Sequence, residues 1–261
     1  MPETPKVPMR KAPPPLLQVS VAHAEALNPR TMRVRLSGDP LSEMEVPQPA
    51  ASVRLLVPSE PGGELVIPEW NGNEFLLPDR ERPALRTFTP LRFDKESGAL
   101  DLEIVRHESG AVSSWVETCG EGDPAALSGP GSGWEPAADI AELLVFGDET
   151  AVPAIGQLLE SVAALEPTPS STVHIEVETA EAKRPVGPMS PDDVIWHVAD
   201  PDVAPLSGVV AAAQAIESVT EHTHIWAAGE AAAVQALRKH FLKGLDVPRS
   251  RASIRGYWKS R

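Results

Sequence analysis

Four consecutive residues, Arg86-Thr87-Phe88-Thr89, combine the side chains that a phosphate-bearing aromatic ligand needs. They lie in a segment, 85–93, that predicts a β-strand, so alternation points Arg86 and Phe88 to one face and both threonines to the other. A guanidinium can hold a phosphate, an aromatic ring can stack, and a hydroxyl can hydrogen-bond the edge of a bound ring. The same pattern also fits an ordinary barrel strand with Phe88 in its core, and both interpretations stay open.

A second segment, residues 107–115, has the pattern of a strand end, a glycine turn and a helix start. Small residues at a helix N-terminus leave backbone N–H groups exposed, and such groups suit a pyrophosphate. Ser113 can add a hydroxyl donor. The alternative is that Gly110 only makes a turn and Trp115 only fills the core.

Two further segments follow predicted strands of an α/β region. They are Gly147-Asp148-Glu149-Thr150 and Gly229-Glu230. Ligands collect at the carboxyl ends of parallel strands, so both segments are candidate binding loops. Acidic side chains that face a phosphate are unfavourable, however, and this favours Asp148 and Glu149 as caps of the following helix.

The C-terminal stretch, residues 249–261, carries five basic residues and no acid. They are Arg249, Arg251, Arg255, Lys259 and Arg261. Against a net charge of −14, this reversal could steer an anionic substrate or a cofactor phosphate. The alternative is a solvated charged tail. Lys183 and Arg184, after another predicted strand, could likewise meet the 2′-phosphate of a dinucleotide or be two solvated loop charges.

The elements that must position these residues change in character near residues 130–140. Between Leu17 and Ser128, short alternating or β-branched segments separated by Gly, Pro, Asn and Asp predict an antiparallel barrel. After the glycine run 129–133, strands alternate with helices, which predicts a parallel sheet covered on both faces. The predicted fold class is therefore β plus α/β, an N-terminal antiparallel Greek-key β-barrel followed by a C-terminal Rossmann-like α/β domain. The predicted boundaries are 1–15 for a disordered Pro-rich leader, 16–136 for the barrel domain and 137–261 for the α/β domain.

Composition excludes several classes of function. The chain has 261 residues, a net charge of −14 and 42% hydrophobic residues. Such an acidic chain is repelled by nucleic acid and anionic membranes, and no stretch approaches the ~20 apolar residues of a membrane span. One cysteine, Cys119, excludes an internal disulfide, and His222 with His224 lacks a third ligand, so we expect no metal. We expect a cytoplasmic protein that is a monomer.

Five segments occur in one order that resembles the siderophore-interacting, FAD-binding proteins of the ferredoxin-reductase superfamily. They are RPALRTFTPLRFD (82–94), HESGAVSSW (107–115), GDETAVPAI (147–155), AGEAAAVQALRKHF (228–241) and GYWKSR (256–261). Each motif alone is weak. Five in order, over nearly the whole chain from Leu17 to Arg261, are specific.

The resemblance implies a flavin-binding barrel, an NAD(P)H-binding α/β domain and the reduction of a ferric siderophore. It implies that Arg86 holds the FAD phosphates, that Phe88 stacks on the flavin and that Thr89 lies near the flavin's reactive nitrogen. The other implied FAD contacts are Thr87, His107, Gly110, Ala111, Val112, Ser113 and Trp115. The implied contacts on the NAD(P)H side are Gly147, Asp148, Glu149, Thr150, Gly229 and Glu230. Trp258 is implied as a further cofactor contact, and Arg54, Arg255 and Lys259 as contacts of the siderophore.

The chain departs from the family pattern at three places. Phe88 replaces the usual tyrosine, which keeps the stacking and loses a hydroxyl hydrogen bond. Val112 lies in a turn where smaller residues are usual. Ala51-Ser52-Val53-Arg54 replaces a more polar, basic stretch near the expected substrate mouth. We therefore expect weaker or differently tuned flavin binding.

Three functions are consistent with the resemblance. The first is an FAD-dependent ferric-siderophore reductase that passes electrons from NAD(P)H to chelated Fe(III). The second is a reductase of the same fold that serves a flavodoxin, a ferredoxin or a quinone. The third is a ferric-siderophore binding protein without efficient electron transfer. The sequence leaves the identity of the siderophore and the choice between NADH and NADPH open.

Overall fold

A seven-stranded antiparallel sheet forms the N-terminal half of the computed structural model, which describes residues 15–107 and 110–260. Its spatial order is β6-β3-β9-β1-β2-β8-β7. The predicted leader, residues 1–15, lies outside the described residues except for Pro15. The elements of this half are β1 (Leu17–Asn28), β2 (Thr31–Ser37), β3 (Val53–Leu56), a hairpin of β4 (Glu69–Trp70) and β5 (Phe75–Leu76), β6 (Leu85–Phe88), β7 (Leu91–Asp94), β8 (Ala99–Val105), α1 (Ala111–Thr118) and β9 (Pro124–Ser128).

The seven-stranded sheet curls into a half-barrel. Strands β6 and β7 lie at its opposite edges, yet only Thr89 and Pro90 join them, so the two edges approach each other. The sequence predicts one strand over 85–93, and this prediction is wrong. The strand breaks at Pro90, because proline has no N–H to donate to a ladder. The predicted antiparallel barrel is confirmed in this curled form.

The core of the half-barrel explains why these strands form. Every second residue of the central strands is apolar and buried: Val19, Val21, Val34, Leu36, Leu100, Leu102 and Ile104. Helix α1 packs on the same core through Trp115 and Val116, each 1% exposed. Burying each such side chain contributes about 1.5–3 kcal/mol. Because a helix of this length is barely stable by itself, packing on the sheet is what stabilises α1.

A five-stranded parallel sheet with helices on both faces forms the C-terminal half. Its elements are β10 (Glu142–Asp148), α2 (Val152–Ala163), β11 (Ser170–Val177), β12 (Ile195–Val198), α3 (Ser207–Gln214), β13 (Thr223–Glu230), α4 (Ala231–Lys239) and β14 (Ala252–Trp258). The spatial order β12-β11-β10-β13-β14 reverses direction between β10 and β13. Ligands of doubly wound sheets bind beyond the carboxyl ends of the strands at such a reversal. The predicted Rossmann-like sheet is confirmed, and the domain boundary at 136/137 stays a prediction.

Two features near the C-terminus differ from expectation. Residues 252–258 form β14, which is hydrogen-bonded to β13 and buries Ile254, so this part is no solvated tail. After α4 the chain continues into a π-helical turn, His240–Gly244, instead of remaining α-helical. None of the helices within the described ranges is long and apolar enough to cross a membrane.

Long-range polar contacts hold the two halves together. Gln157 of α2 accepts a hydrogen bond from the N–H of Ala50 at 2.9 Å and donates one to the carbonyl of Pro90 at 2.8 Å. Arg30, in the turn between β1 and β2, donates from Nε to Oε1 of Glu149 at 2.8 Å. The carboxyl edge of the parallel sheet therefore faces the half-barrel.

Candidate functional site

The guanidinium of Arg86 is available to a ligand. The side chain is exposed on β6, and the one hydrogen bond found for it within residues 15–107 and 110–260 runs from Nη1 to the adjacent carbonyl of Leu85, at 2.9 Å. Thr87 is exposed, Thr89 is buried, and Phe88 is half-buried against the half-barrel core. The phosphate-binding role of Arg86 and the stacking role of Phe88 stay predictions.

The N-terminus of α1 offers backbone donors near the same sheet. Gly110 precedes the helix with a φ of 130°, and a Cβ there would lie 3.0 Å from Cε1 of His107. No side chain of a described residue caps this helix, and its first turn holds no acid. The Ser113 hydroxyl accepts from the N–H of His107 at 3.3 Å, which holds the end of β8 against the helix. The exposed guanidinium of Arg86 and a helix N-terminus that no described side chain caps fit the pyrophosphate of FAD.

Two of the predicted FAD contacts on α1 are core side chains. Val112 is 6% exposed and Trp115 is 1% exposed, and both pack in the half-barrel core. Ala111 is half-buried at the start of the helix. The side chains of Val112 and Trp115 therefore hold the helix on the sheet, which was the alternative interpretation for Trp115. Direct contact of either side chain with FAD stays a prediction.

Asp148 ends β10 and is 6% exposed. Its Oδ1 accepts from the N–H of Thr150 at 2.9 Å, and its Oδ2 accepts from Nε1 of Trp258 at 2.7 Å. Burial raises the pKa of the Asp148 carboxyl, although the hydrogen bonds from Thr150 and Trp258 oppose the shift. The carboxylate thus attaches the end of β14 to the end of β10, at the predicted nucleotide edge.

Glu149 forms an ion pair with the half-barrel. Its side chain is 11% exposed and accepts from Arg30 at 2.8 Å. The pKa of Glu149 is raised, because the effect of burial is larger than the opposing effect of the neighbouring Arg30 guanidinium. The prediction that Asp148 and Glu149 cap α2 is wrong, because the helix begins after Ala151 with no side-chain cap. Pro153 in the first turn has no N–H group, so its nitrogen needs no hydrogen-bond acceptor.

Glu230 caps α4 and holds the end of the described chain. Its Oε2 accepts from the N–H groups of Ala232 and Ala233, the latter at 3.1 Å. Its Oε1 accepts from the N–H of Ser260 at 3.2 Å and from the Ser260 hydroxyl at 3.1 Å. Gly229, just before it, has a φ of 155° and lies against Asp148. Gly229 and Asp148, both predicted site residues, are therefore neighbours.

Strand β14 also brings Tyr257 to the half-barrel. The Tyr257 hydroxyl lies near the side chain of Thr89, although 40% of the residue is exposed. Tyr257 was not among the predicted site residues, and the alternation of Arg255 with Tyr257 along a strand is the signal that could have found it. The end of β6 and the carboxyl edge of the parallel sheet therefore meet at one place.

The three predicted substrate contacts are exposed. Arg54 lies opposite Thr87 in the β3–β6 ladder and lines a shallow cleft with residues 128–131. Arg255 donates to the carbonyl of Ser132 at 3.4 Å, so it borders the same linking segment. Lys259 follows β14 and is exposed. Arg54 and Arg255 thus both border the segment that joins the halves, and their contact with a substrate stays a prediction.

Asp148 and Glu230 are expected to affect the pH dependence of folding with opposite signs. The pKa of Asp148 is raised above its ordinary 3.8, so Asp148 lowers the free energy of unfolding as pH rises from 3.8 through the native value. The pKa of Glu230 is lowered, because hydrogen bonds from Ala233, Ser260 and Ala232 outweigh its burial. Glu230 therefore stabilises the fold above pH 4.5, and this contribution is lost as pH falls through its native pKa.

Urea unfolding between pH 3.5 and 8 is the measurement, with Asp148→Asn and Glu230→Gln as matched variants that each remove one buried carboxylate. We expect the free energy of unfolding of Asp148→Asn to fall less steeply above pH 3.8 than that of the native protein. We expect Glu230→Gln to be less stable than the native protein at neutral pH. Parallel pH profiles of both variants and the native protein would contradict the assignment.

A curled antiparallel sheet followed by a parallel sheet of order 3-2-1-4-5 is a fold that this chain shares with phthalate dioxygenase reductase, on which it superposes with a TM-score of 0.59 at 14% identity, covering 92% of this chain and 68% of that one. Residues 20–134 match the siderophore-interacting FAD-binding domain, and residues 140–261 match the siderophore-interacting protein. The chain belongs to the siderophore-interacting protein family, and its N-terminal half is an FAD-binding domain of that family.

Similar proteins support this assignment. An uncharacterised protein of Mycobacterium tuberculosis is 32% identical over 199 residues, which are 70% of this chain and 68% of that protein. The ferric vibriobactin reductase ViuB of Vibrio cholerae is 27% identical over 231 residues, which are 87% of this chain and 83% of ViuB. The crystal structure of a siderophore utilization protein from T. fusca superposes with a TM-score of 0.79 at 26% identity, covering 96% of this chain and 95% of that one.

Proposed function

We propose that this protein is an FAD-dependent reductase that takes electrons from NAD(P)H and reduces the ferric iron of a siderophore, releasing Fe(II) in the cytoplasm. The match to an FAD-binding domain supports the flavin, and the likeness to a ferric vibriobactin reductase supports the substrate class. Bound FAD would supply the redox chemistry, because it takes an electron pair as hydride and gives electrons up singly, as ferric iron requires.

The approach of the Tyr257 hydroxyl to the side chain of Thr89 is the observation that carries this proposal. A reductase of this kind needs its nicotinamide and its flavin close together, so the nucleotide edge must touch the flavin half. Thr89 directly follows β6, the strand that carries Arg86 and Phe88, and Tyr257 belongs to the last strand of the parallel sheet. The contact between them supports a nicotinamide pocket beside the flavin.

The chain's own residues have positioning tasks in this reaction. Arg86 and the N–H groups of α1 bind the FAD phosphates. Asp148 and Glu230 hold β14 and its continuation against the carboxyl edge, which shapes the nucleotide side. No acid–base dyad is needed, because electron transfer to chelated iron requires binding and orientation.

The exposed cations Arg54, Arg255 and Lys259 attract the ferric chelate to its binding place. Many ferric chelates are anions, and a chain with a net charge of −14 repels them unless cations line the approach. Arg54 and Arg255 border the segment between the two halves. We propose that the siderophore docks there, beside the flavin half.

The proposal is tested by anaerobic spectroscopy of the FAD-loaded protein. We expect NADH or NADPH to bleach the flavin bands, a ferric siderophore to restore them, and a colorimetric Fe(II) trap to report two ferrous ions for each nicotinamide oxidised. Protein without FAD is the control and should produce no Fe(II).

Two other outcomes would overturn the proposal in favour of a named alternative. Flavin that is bleached by the nucleotide but reoxidised only by a flavodoxin, a ferredoxin or a quinone identifies a reductase with another acceptor. A protein that binds the ferric chelate but neither binds FAD nor oxidises the nucleotide is a siderophore-binding protein.

A further inference from the structure

We propose that the ion pair between Glu103 and Arg184 fixes the position of the parallel-sheet half relative to the half-barrel, which makes both side chains positioning residues for hydride transfer from the nucleotide to the flavin. This inference rests on the proposed function and names residues on which its reaction depends. Hydride transfer needs the reacting atoms about 3–3.5 Å apart, and a misplacement of about 1 Å can slow a reaction about 100-fold. A contact that orients the two halves can therefore control the rate from outside both binding sites.

The two halves have separate apolar cores. The buried members of the half-barrel core lie between Val19 and Leu127. Among the described residues, the cores on the two faces of the parallel sheet take one buried residue, Ala50, from the half-barrel part of the chain. Domains that do not share a large apolar interface are free to move relative to each other. Polar contacts between the halves therefore decide their orientation.

Glu103 lies on the outer face of the half-barrel, where a carboxylate is ordinarily exposed. Its neighbours Leu102 and Ile104 belong to the core, so alternation turns Glu103 outward. The Glu103 side chain is nevertheless only 5% exposed, because Arg33 lies opposite it in the β2–β8 ladder and Arg184 covers it from the other half. Its Oε1 accepts from Nη2 of Arg33 at 2.7 Å, and its Oε2 accepts from Nη2 of Arg184. The interpretation of Arg184 as a solvated loop charge is therefore wrong.

Arg184 is fixed to the parallel-sheet half. It lies in the segment after β11, between Ala182 and Val186, which are 5% and 1% exposed and belong to the same core as α2. Gly187 then passes so close to α2 that a Cβ there would lie 2.6 Å from the carbonyl oxygen of Gly156. Because the segment is packed on both sides of Arg184, the guanidinium moves with the parallel sheet.

Asp101 has the same arrangement without a link to the other half. It lies two residues before Glu103 on the same face of β8, and its side chain is 2% exposed. Arg35 donates from Nε to Oδ1 of Asp101 at 2.7 Å, and Nε of Arg92 lies 2.8 Å from Oδ2. Both arginines belong to the half-barrel, on β2 and β7. Comparison of the two carboxylates therefore separates the stability of the half-barrel from the orientation of the halves.

Arg184→Ala and Arg35→Ala are the matched variants, because each leaves a buried carboxylate with one arginine. Anaerobic stopped-flow reduction of the FAD-loaded full chain gives the limiting rate constant at saturating nucleotide, and titration with 5′-ADP measures nucleotide affinity without a redox reaction. We expect Arg184→Ala to lower the limiting rate constant at least about tenfold, with the dissociation constants of FAD and 5′-ADP unchanged, whereas Arg35→Ala keeps the native rate constant. Arg184→Lys keeps the charge and should recover part of the rate.

A second measurement determines the orientation of the halves in flavin-free protein. Spin labels attached at Lys95→Cys, in the turn between β7 and β8, and at Glu217→Cys, after α3, report the distance between the halves by pulsed electron paramagnetic resonance. Cys119→Ser removes the native thiol. We expect a shifted or broadened distance distribution in Arg184→Ala and the native distribution in Arg35→Ala.

A native limiting rate constant or a native distance distribution in Arg184→Ala, or equal losses in Arg35→Ala, would overturn the inference and leave the reductase proposal standing. Weaker 5′-ADP binding by Arg184→Ala at a native limiting rate constant would also overturn it, and would make Arg184 a nucleotide contact. If neither NADH nor NADPH reduces the flavin of the native protein, the proposed function fails. The distance distributions then decide by themselves whether Arg184 orients the halves.

Discussion

Replacement of Arg86 with alanine is expected to weaken FAD binding about 10- to 100-fold, which corresponds to the ~1.5–3 kcal/mol of a charge-assisted hydrogen bond. The guanidinium is exposed and bonds only to the adjacent carbonyl of Leu85 among the described residues, so its removal should not change the fold. Quenching of FAD fluorescence during titration of flavin-free protein measures the dissociation constant. Thermal unfolding of the same sample checks that the protein is intact.

Arg82→Ala is the matched control, because it removes a guanidinium four positions earlier. Arg82 is 83% exposed and pairs with Glu74 at 3.0 Å, so FAD binding should be unaffected. Arg86→Lys keeps the charge but loses the planar fork, and an intermediate dissociation constant is expected. If Arg86→Ala binds FAD as tightly as the native protein, Arg86 does not contact the flavin phosphates, and the N–H groups at the start of α1 hold them without it.

The local sequence was sufficient to predict much of the fold. Alternating apolar residues define the central strands of the half-barrel, and the change to strand–helix alternation after residue 133 predicts the parallel sheet. The errors occurred where a single residue or a distant partner decides the structure. Pro90 divides one apparent strand into the two edges of a sheet, and β14 forms because β13 offers it a free edge. The strands that pair with β6, β7 and β14 cannot be identified from the few residues on either side of each strand.

Only those residues of the candidate site that belong to local sequence motifs could be predicted. Sequence patterns placed the Asp148 and Gly229 segments at strand ends, and the structure brings these residues side by side. They could not show that Arg30 binds Glu149 from a distance of more than a hundred residues along the chain, nor that Glu103 holds Arg184. Ion pairs between distant segments depend on how the two halves dock, and no local periodicity records that.

Gly229→Ala is expected to be among the most damaging single substitutions at the nucleotide edge. The φ of 155° is a conformation that L side chains rarely adopt, and the new Cβ would lie 2.6 Å from Oδ2 of Asp148 and 2.7 Å from Cδ1 of Leu206. Backbone strain of ~1–3 kcal/mol and a comparable cost of overpacking would then add. The displaced Asp148 carboxylate would also lose its hydrogen bond from Trp258, which holds β14 in place.

We therefore expect Gly229→Ala to lower the melting temperature by about 6–12 °C, from a loss of about 3 kcal/mol, and to weaken 5′-ADP binding. Gly244→Ala is the matched control on the same half of the chain. Its φ is not positive, and the nearest atom to a Cβ there is the carbonyl oxygen of Lys239 at 3.8 Å, so its melting temperature should be unchanged or slightly raised. Differential scanning calorimetry of both variants decides the matter. Equal melting temperatures and equal nucleotide affinity would mean that Asp148 can move away from residue 229 at little cost, and that its contact with Trp258 does not shape the nucleotide side.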